Sequence, residues 1–234
     1  MVRTFLMGKA GVSVLAAQHG VTVRVLDLGV DDDLEGVAPE VTAFKVRRGS
    51  GAIHLEDALT TDETLQAIAA GEAVAAEEIA AGAQLLISGD MGIGNTTPAA
   101  ALIAASLGLP ATEVTGRGTG IDEPALVHKM AVVQQALDRA GERTADPVET
   151  LIALGSADLA GAAGFMTGHG GTIVNISSGA ATLGSPGEYV HYAAAKAGVD
   201  ALTLGLGKRG GAARHPSGRR GAGHHPHRHP RRCR

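Results

Sequence analysis

The chain has no tryptophan, a single cysteine, and aromatic residues at only 2% of its 234 positions. With so little aromatic surface, the interior must be filled mainly by Ala, Val, Leu and Ile, within a hydrophobic content of 44%. The lone Cys233 excludes an internal disulfide framework. No apolar run reaches the roughly 20 residues that cross a bilayer, and the first residues lack the pattern of a signal peptide. No membrane partner is expected, and the expected compartment is the cytoplasm. Acidic residues are missing after Asp200, while Arg and His crowd the last stretch, so the net charge of −4 conceals a split. Such asymmetry marks either a nucleic-acid arm or a segment of different origin; the expectation here is the second, with no nucleic-acid partner. What the chain does have is glycine, at 34 positions, which points to many tight loops. Its length suits one good-sized domain or two small ones.

Phe5 to His19 has helical apolar spacing and closes at Gly20. Val21 to Leu28 alternates and is rich in valine, which predicts a strand. Asp31 to Arg48 reads as a polar loop. Thr60-Thr-Asp-Glu63 has the spacing of a capping box and opens a helix to about Ala81. Leu85 to Ser88 is a short apolar run of buried-strand length. Leu109 to Ile121 is a glycine-rich loop, Pro124 to Ala140 an amphipathic helix, and Asp146-Pro147 the cap and first residue of another. Strands alternating with helices predict an α/β fold: a Rossmann-like parallel sheet with crossover helices. In such sheets ligands sit beyond the strand C-termini, where both glycine loops fall.

The chain is organised around Leu85-Leu-Ile-Ser-Gly-Asp90-Met-Gly92-Ile-Gly94-Asn95-Thr96-Thr97-Pro98. It reads as strand, glycine loop, then the helix Ala99 to Leu107, with Thr96 or Thr97 as cap and Pro98 in the first position. A glycine loop feeding a helix N-terminus presents backbone N–H groups at the positive end of the helix dipole, which suits an anion. The same shape also occurs as a plain turn. The string lacks the Gly-Lys-Ser/Thr of a Walker loop and the G-x-G-x-x-G spacing of a dinucleotide fingerprint.

Gly89-Asp-Met-Gly-Ile-Gly-Asn-Thr-Thr-Pro98 resembles the signature of the nicotinate-nucleotide:dimethylbenzimidazole phosphoribosyltransferase family. In the same order, so do Val23 to Asp31, Lys45 to Gly51, Glu56 to Thr60, Gly116-Arg-Gly-Thr-Gly-Ile-Asp122, His128-Lys129, Asp146 to Glu149 and Ala160 to Phe165. The resemblance covers about 3–165. It implies phosphoribosyl transfer from nicotinate mononucleotide to 5,6-dimethylbenzimidazole, giving alpha-ribazole phosphate for the lower ligand of cobalamin, with no cofactor and no metal. It leaves open whether the chain forms that family's homodimer. Under it, Gly92, Gly94, Asn95, Thr96 and Thr97 cradle the 5′-phosphate, and Gly118, Thr119 and Gly120 form a second cradle. Lys129 pairs a phosphate, against the plainer reading of a solvated helix face. Asp90 faces ribose hydroxyls or a cationic ring, unless it only caps a turn. The family's Gly-Glu-Gly-Ser-like loop, which carries its proposed base, and its Asp-His-Gly strand are not found, so the α/β domain is expected to be incomplete at both ends of the family fold. Impaired turnover follows as an expectation.

From about Met166 the character changes. Asn175-Ile-Ser-Ser178, Gly184 to Tyr189, and Tyr192-Ala-Ala-Ala-Lys196-Ala-Gly198 resemble the catalytic half of short-chain dehydrogenases/reductases over about 169–208. Thr172 to Ser178 reads as strand and turn, and Tyr192 and Lys196 share a face of a helix His191 to Leu206. By resemblance Tyr192 is an acid/base, Lys196 lowers its pKa and Ser178 positions substrate. That family's glycine-rich cofactor loop is absent, so these three are expected to be vestigial. An NAD(P)-dependent oxidoreductase and an inactive nucleotide-binding remnant are the alternatives. The organisation expected is 1–165, 166–208 and a disordered basic tail, 209–234. His224-His-Pro-His-Arg-His229 invites a metal. The rival reading is out-of-frame translation, since a one-nucleotide shift over Arg219 to Arg232 yields a dehydrogenase-like string.

Overall fold

The computed structural model describes residues 1–91, 93–118, 120–167, 173–176 and 217–220, with side chains through Phe165. The chain divides into two compact units, 1–168 and 169–234.

The first unit is built from helices in chain order: α1 (Val2–Leu6), α2 (Gly11–Gln18), α3 (Pro39–Thr42), α4 (Thr61–Ala80), α5 (Thr96–Leu107), α6 (Ala111–Val114), α7 (Glu123–Ala140), a 3₁₀ turn (Gly141–Ala145), α8 (Pro147–Leu154) and α9 (Ala157–Thr167). Several boundaries follow from local chemistry. Thr60 and Glu63 form the capping box of α4 reciprocally. Asp122 caps α7 through the Ala125 N–H, and Asp146 caps α8 through the N–H groups of Val148 and Glu149. The single N-terminal helix expected from Phe5 is instead two short ones. Gly8, with φ of +70°, falls between them, a backbone state that glycine adopts without steric cost.

Alanine fills the interior. Ala58, Ala67, Ala101, Val133, Ala136, Ala153, Leu154 and Ala160 are shielded from water and lie in one cluster. Small side chains let backbones approach closely, and α4 and α9 use this most. A methyl group on Gly71 would lie 1.9 Å from the Gly161 carbonyl oxygen, and one on Gly164 equally close to that of Ile68. These glycines are fixed by packing, since any Cβ there forces the two helices apart.

The sheet is where expectation and structure part. Val21 to Leu28 and Leu85 to Ser88 are not assigned to strands. The first is tied down at single points: Asp27 N–H donates to the Val41 carbonyl at 2.7 Å, and buried Asp27 pairs with Lys45 Nζ at 2.7 Å. The second leaves Leu85 73% and Ile87 77% exposed. A strand exists only when a neighbour accepts its ladder bonds, and neither segment has a ladder partner among the described residues of this unit. In the second unit β1 (Ile173–Ile176) pairs in parallel with β2 (Ser217–Arg220). The disordered tail expected over 209–234 is thus not confirmed, with Ser217–Arg220 drawn into this pair. Ladder bonds use backbone groups, so a polar, glycine-containing string without hydrophobic period can still form one. The expected helix His191 to Leu206 and the remainder of the tail lie outside the described residues.

Candidate functional site

Helix α5 begins two residues before Pro98, the first position that the sequence suggests. Asn95 stands at its cap position, Thr96 and Thr97 are its first helical residues, and Pro98 is third. The shift costs no hydrogen bond, because the first-turn N–H groups have no acceptor within the helix and proline lacks only such an orphan. No side chain caps this end. Asn95 Nδ2 turns away and donates to the carboxylate of Asp90. The positive end of α5 is therefore uncapped at the mouth of the glycine loop.

Two elements distant in sequence close on that end. Lys129, from α7, donates from Nζ to Thr96 Oγ1 at 2.9 Å and to the Gly116 carbonyl at 2.9 Å. Gly118, with φ of +56°, lies so near that a methyl group there would stand 2.9 Å from Thr96 Oγ1 and 3.5 Å from Lys129 Nζ. Arg117 holds the second loop in shape, donating to the Ile121 carbonyl at 2.9 Å and pairing with Glu123. Lys129 has no carboxylate within ion-pair distance among the described residues. Burial without an anion depresses the pKa of its ammonium below the usual lysine range.

Asp90 marks the other side of the same corner. Its carboxyl is pushed up to about 6, first by partial removal from water and then by the Asp158 carboxylate of α9. The adjacent residues Asn95 and Thr96 thus join a carboxyl that resists ionisation to a cation without a counter-ion.

Of the residues singled out in the sequence, the structure gathers Thr96, Gly118 and Lys129 into one contact and joins Asp90 to Asn95. Gly94 has φ of +91° and Gly120 φ of +99°, both in the left-handed region. Thr97 is half-buried in the first turn of α5. Gly92, Thr119, Ser178, Tyr192 and Lys196 lie outside the described residues. Sequence reasoning missed the Gly116 carbonyl, the clip made by Arg117, and Asp158. The Gly116-Arg-Gly string signals the first two, whereas nothing local to Asp158 points to a loop so far back in the chain. Among the described residues no group of three or more His, Cys, Asp or Glu could hold a metal, and no helix is long and apolar enough to cross a membrane.

A separate cleft, lined among others by Arg47, Glu56, Asp57, Thr60 and Arg143, contains none of these residues. Its cations already have counter-ions: Arg47 pairs with Glu63, and Arg143 with Asp57 and Glu149. The uncompensated ammonium favours the glycine loops as the anion site.

Comparison with known proteins gives the family. A phosphoribosyltransferase family profile matches residues 1–172, and a short-chain dehydrogenase profile matches 150–213. The chain is 51% identical over 165 residues to the nicotinate-nucleotide–dimethylbenzimidazole phosphoribosyltransferase of Mycobacterium ulcerans strain Agy99, covering 70% of this chain and 46% of that protein. Against the protein of the same name from Mycobacterium tuberculosis H37Rv the identity is 52%, with 45% of that relative covered. A crystal structure of CobT from Thermus thermophilus superposes with a TM-score of 0.66 at 42% identity, covering 70% of this chain and 49% of that one. Such likeness to solved structures places the chain in the α/β class. The chain belongs to the phosphoribosyltransferase family. It spans about half the length of the curated relatives it matches.

Proposed function

We propose that the first unit binds nicotinate mononucleotide, with the 5′-phosphate held between the N-terminus of α5 and Lys129. The observation that carries this reading is Lys129 itself, an ammonium placed between two glycine loops with, among the described residues, a hydroxyl and a carbonyl as its partners. A phosphate there gains a counter-charge, the free N–H groups of the first turn, and the hydroxyls of Thr96 and Thr97. Gly92, Gly94 and Asn95 complete the first cradle. Gly118, Thr119 and Gly120 form the second, where the left-handed backbone at Gly118 and Gly120 lets the chain pass close to a ligand.

The reaction in this reading is transfer of the phosphoribosyl group to 5,6-dimethylbenzimidazole, giving alpha-ribazole phosphate, the chemistry named for the mycobacterial relatives. Asp90 faces the ribose hydroxyls or the cationic pyridinium ring. The Rossmann-like parallel sheet and the family homodimer belong to the same proposal, as does turnover below that of the full-length relatives. Ser178, Tyr192 and Lys196 take no part.

The experiment is a thermal melt of the full chain with and without nicotinate mononucleotide. A ligand that binds only the folded state raises the midpoint by mass action. A cooperative transition that moves upward with ligand supports the site; one that saturating ligand leaves unmoved removes it.

A further inference from the structure

We propose that Arg117 is a positioning residue: its clip to Glu123 holds the second glycine loop against α5 before any ligand arrives, in the shape that receives the nucleotide phosphate. The inference rests on the nucleotide-binding reading of this site. Helix α7 is the anchor. Its cap, Asp122, accepts from the Ala125 N–H, and Glu123 is its first residue. Arg117 reaches forward to this end, donating from Nη1 to the Ile121 carbonyl at 2.9 Å and from Nη2 to the Glu123 carboxylate. The Arg117 carbonyl accepts from the N–H groups of Gly120 at 3.1 Å and Ile121 at 3.2 Å. Further along α7, Lys129 Nζ donates back to the Gly116 carbonyl at 2.9 Å. The loop is therefore an arch with both feet on one helix, Gly116 on Lys129 and Ile121 on the clip. Its span faces α5, since a methyl group on Gly118 would stand 2.9 Å from Thr96 Oγ1.

The two feet differ. Gly116 is held by the ammonium that the phosphate also engages, whereas Ile121 is held by a contact that the phosphate leaves in place. Between them Gly118 and Gly120, at φ of +56° and +99°, give the span the backbone freedom peculiar to glycine. Ordering one such residue at the moment of binding weakens affinity by about tenfold, and a span ordered beforehand escapes that loss. The clip does little for the fold by comparison. The Arg117 side chain is 47% and that of Glu123 69% exposed, and exposed ion pairs contribute little to stability. A contact that orders the loop and hardly touches the fold serves the ligand. The rival role for Arg117 is direct contact with the phosphate. Glu123 separates the two, because removing its charge frees the guanidinium for an anion but opens the arch.

The test uses the full chain as wild type, Arg117→Gln, Glu123→Gln and the double variant. Amide hydrogen exchange without ligand reads the loop, calorimetric titration with nicotinate mononucleotide reads affinity, and a ligand-free melt reads the fold. Each single variant is expected to speed exchange at Gly120 and Ile121 by about tenfold and to weaken nucleotide binding by about tenfold, while the melting midpoint holds. The double variant is expected to bind no more weakly than Arg117→Gln, because both substitutions break one contact. Exchange that Glu123→Gln leaves unchanged, a wild-type affinity that Glu123→Gln leaves alone or raises, or a midpoint that falls along with the affinity overturns the proposal. Faster exchange in both single variants, beside a wild type that nicotinate mononucleotide does not bind, leaves the clip standing and removes the nucleotide reading instead.

Discussion

Two charged clusters in the first unit are built on opposite rules. Around Asp57 every charge is answered. Arg139 Nη1 donates to Asp57 at 2.7 Å, and its other nitrogens reach the carbonyls of Ile53 and Ala153. Arg143 grips Asp57 through two nitrogens, at 2.8 and 3.0 Å, and adds Glu149. The Arg143 guanidinium, followed by Arg139, holds the Asp57 carboxyl below the usual carboxylate range. Around the glycine loop the charges go unanswered. Lys129 has a hydroxyl and a carbonyl where an anion belongs, and Asp90 meets a second carboxylate. The first cluster fastens α7 and the 3₁₀ turn to the loop before α4. The second, under the proposed function, is left for the phosphate of a bound nucleotide to complete. Strain of this kind concentrates at functional sites.

Breaking each cluster should therefore damage a different property. Lys129→Ala is expected to have the largest effect and to spare the fold. A hydrogen bond to a charged group contributes about 1.5–3 kcal/mol, so nicotinate mononucleotide should bind roughly ten- to hundredfold more weakly. Calorimetric titration checks the affinity, and a melt without ligand checks that the midpoint holds. Asp57→Ala should do the reverse. It strands two part-buried guanidinium groups and should cost about 1–3 kcal/mol in chemical denaturation, with affinity for the nucleotide unchanged. Should Asp57→Ala weaken binding as much as Lys129→Ala does, the division between the two clusters is wrong.

Local chemistry was the legible part of the sequence. The capping box at Thr60 and the caps at Asp122 and Asp146 depend on residues three apart or fewer, so their helices stand almost where the string puts them. The glycine loops were readable for the same reason, and Lys129 through the motif that follows the second loop. Strands were not readable in this way. Leu85 to Ser88 has the composition of a buried strand, but composition cannot provide a neighbour, and burial belongs to the sheet rather than the string. Nor could the string show that Asn95 would turn to Asp90 instead of capping α5, or that Asp158 would arrive from another helix. Both depend on tertiary packing.

Gly118→Ala sharpens the comparison at smaller cost. Its left-handed backbone disfavours a side chain by about 1–2 kcal/mol, and the added methyl would stand 2.9 Å from Thr96 Oγ1. A midpoint lowered by roughly 2–8 °C is expected. Nucleotide affinity should fall with it, because the methyl pushes on the hydroxyl that Lys129 engages. A loss of stability with full affinity would separate the second loop from the site.

The smallest effect distinguishes the clusters by sign. Asp57 has its pKa depressed in the folded state, so its stabilisation is present above the unfolded value, near 4, and is lost as pH falls through the folded one. Asp90 runs the other way. Its folded pKa of about 6 lies above the unfolded value, so the native state binds more protons between roughly pH 4 and 6. Stability attributable to Asp90 is therefore full at the acid end of that window and lost as pH rises through it. Asp90→Asn removes the titration, so the variant should lose less stability than wild type between pH 4 and 6, and its margin over wild type should be greatest at pH 7. Because Asp90 is only partly withdrawn from water, solvent screening keeps the difference small, and it is best read as a slope across a series of denaturant melts. Asp57→Asn should change the slope only at the acid end, below about pH 4. If Asp90→Asn and wild type run parallel from pH 4 to 7, the Asp90 carboxyl is ordinary, and the contrast between the two clusters reduces to the lysine alone.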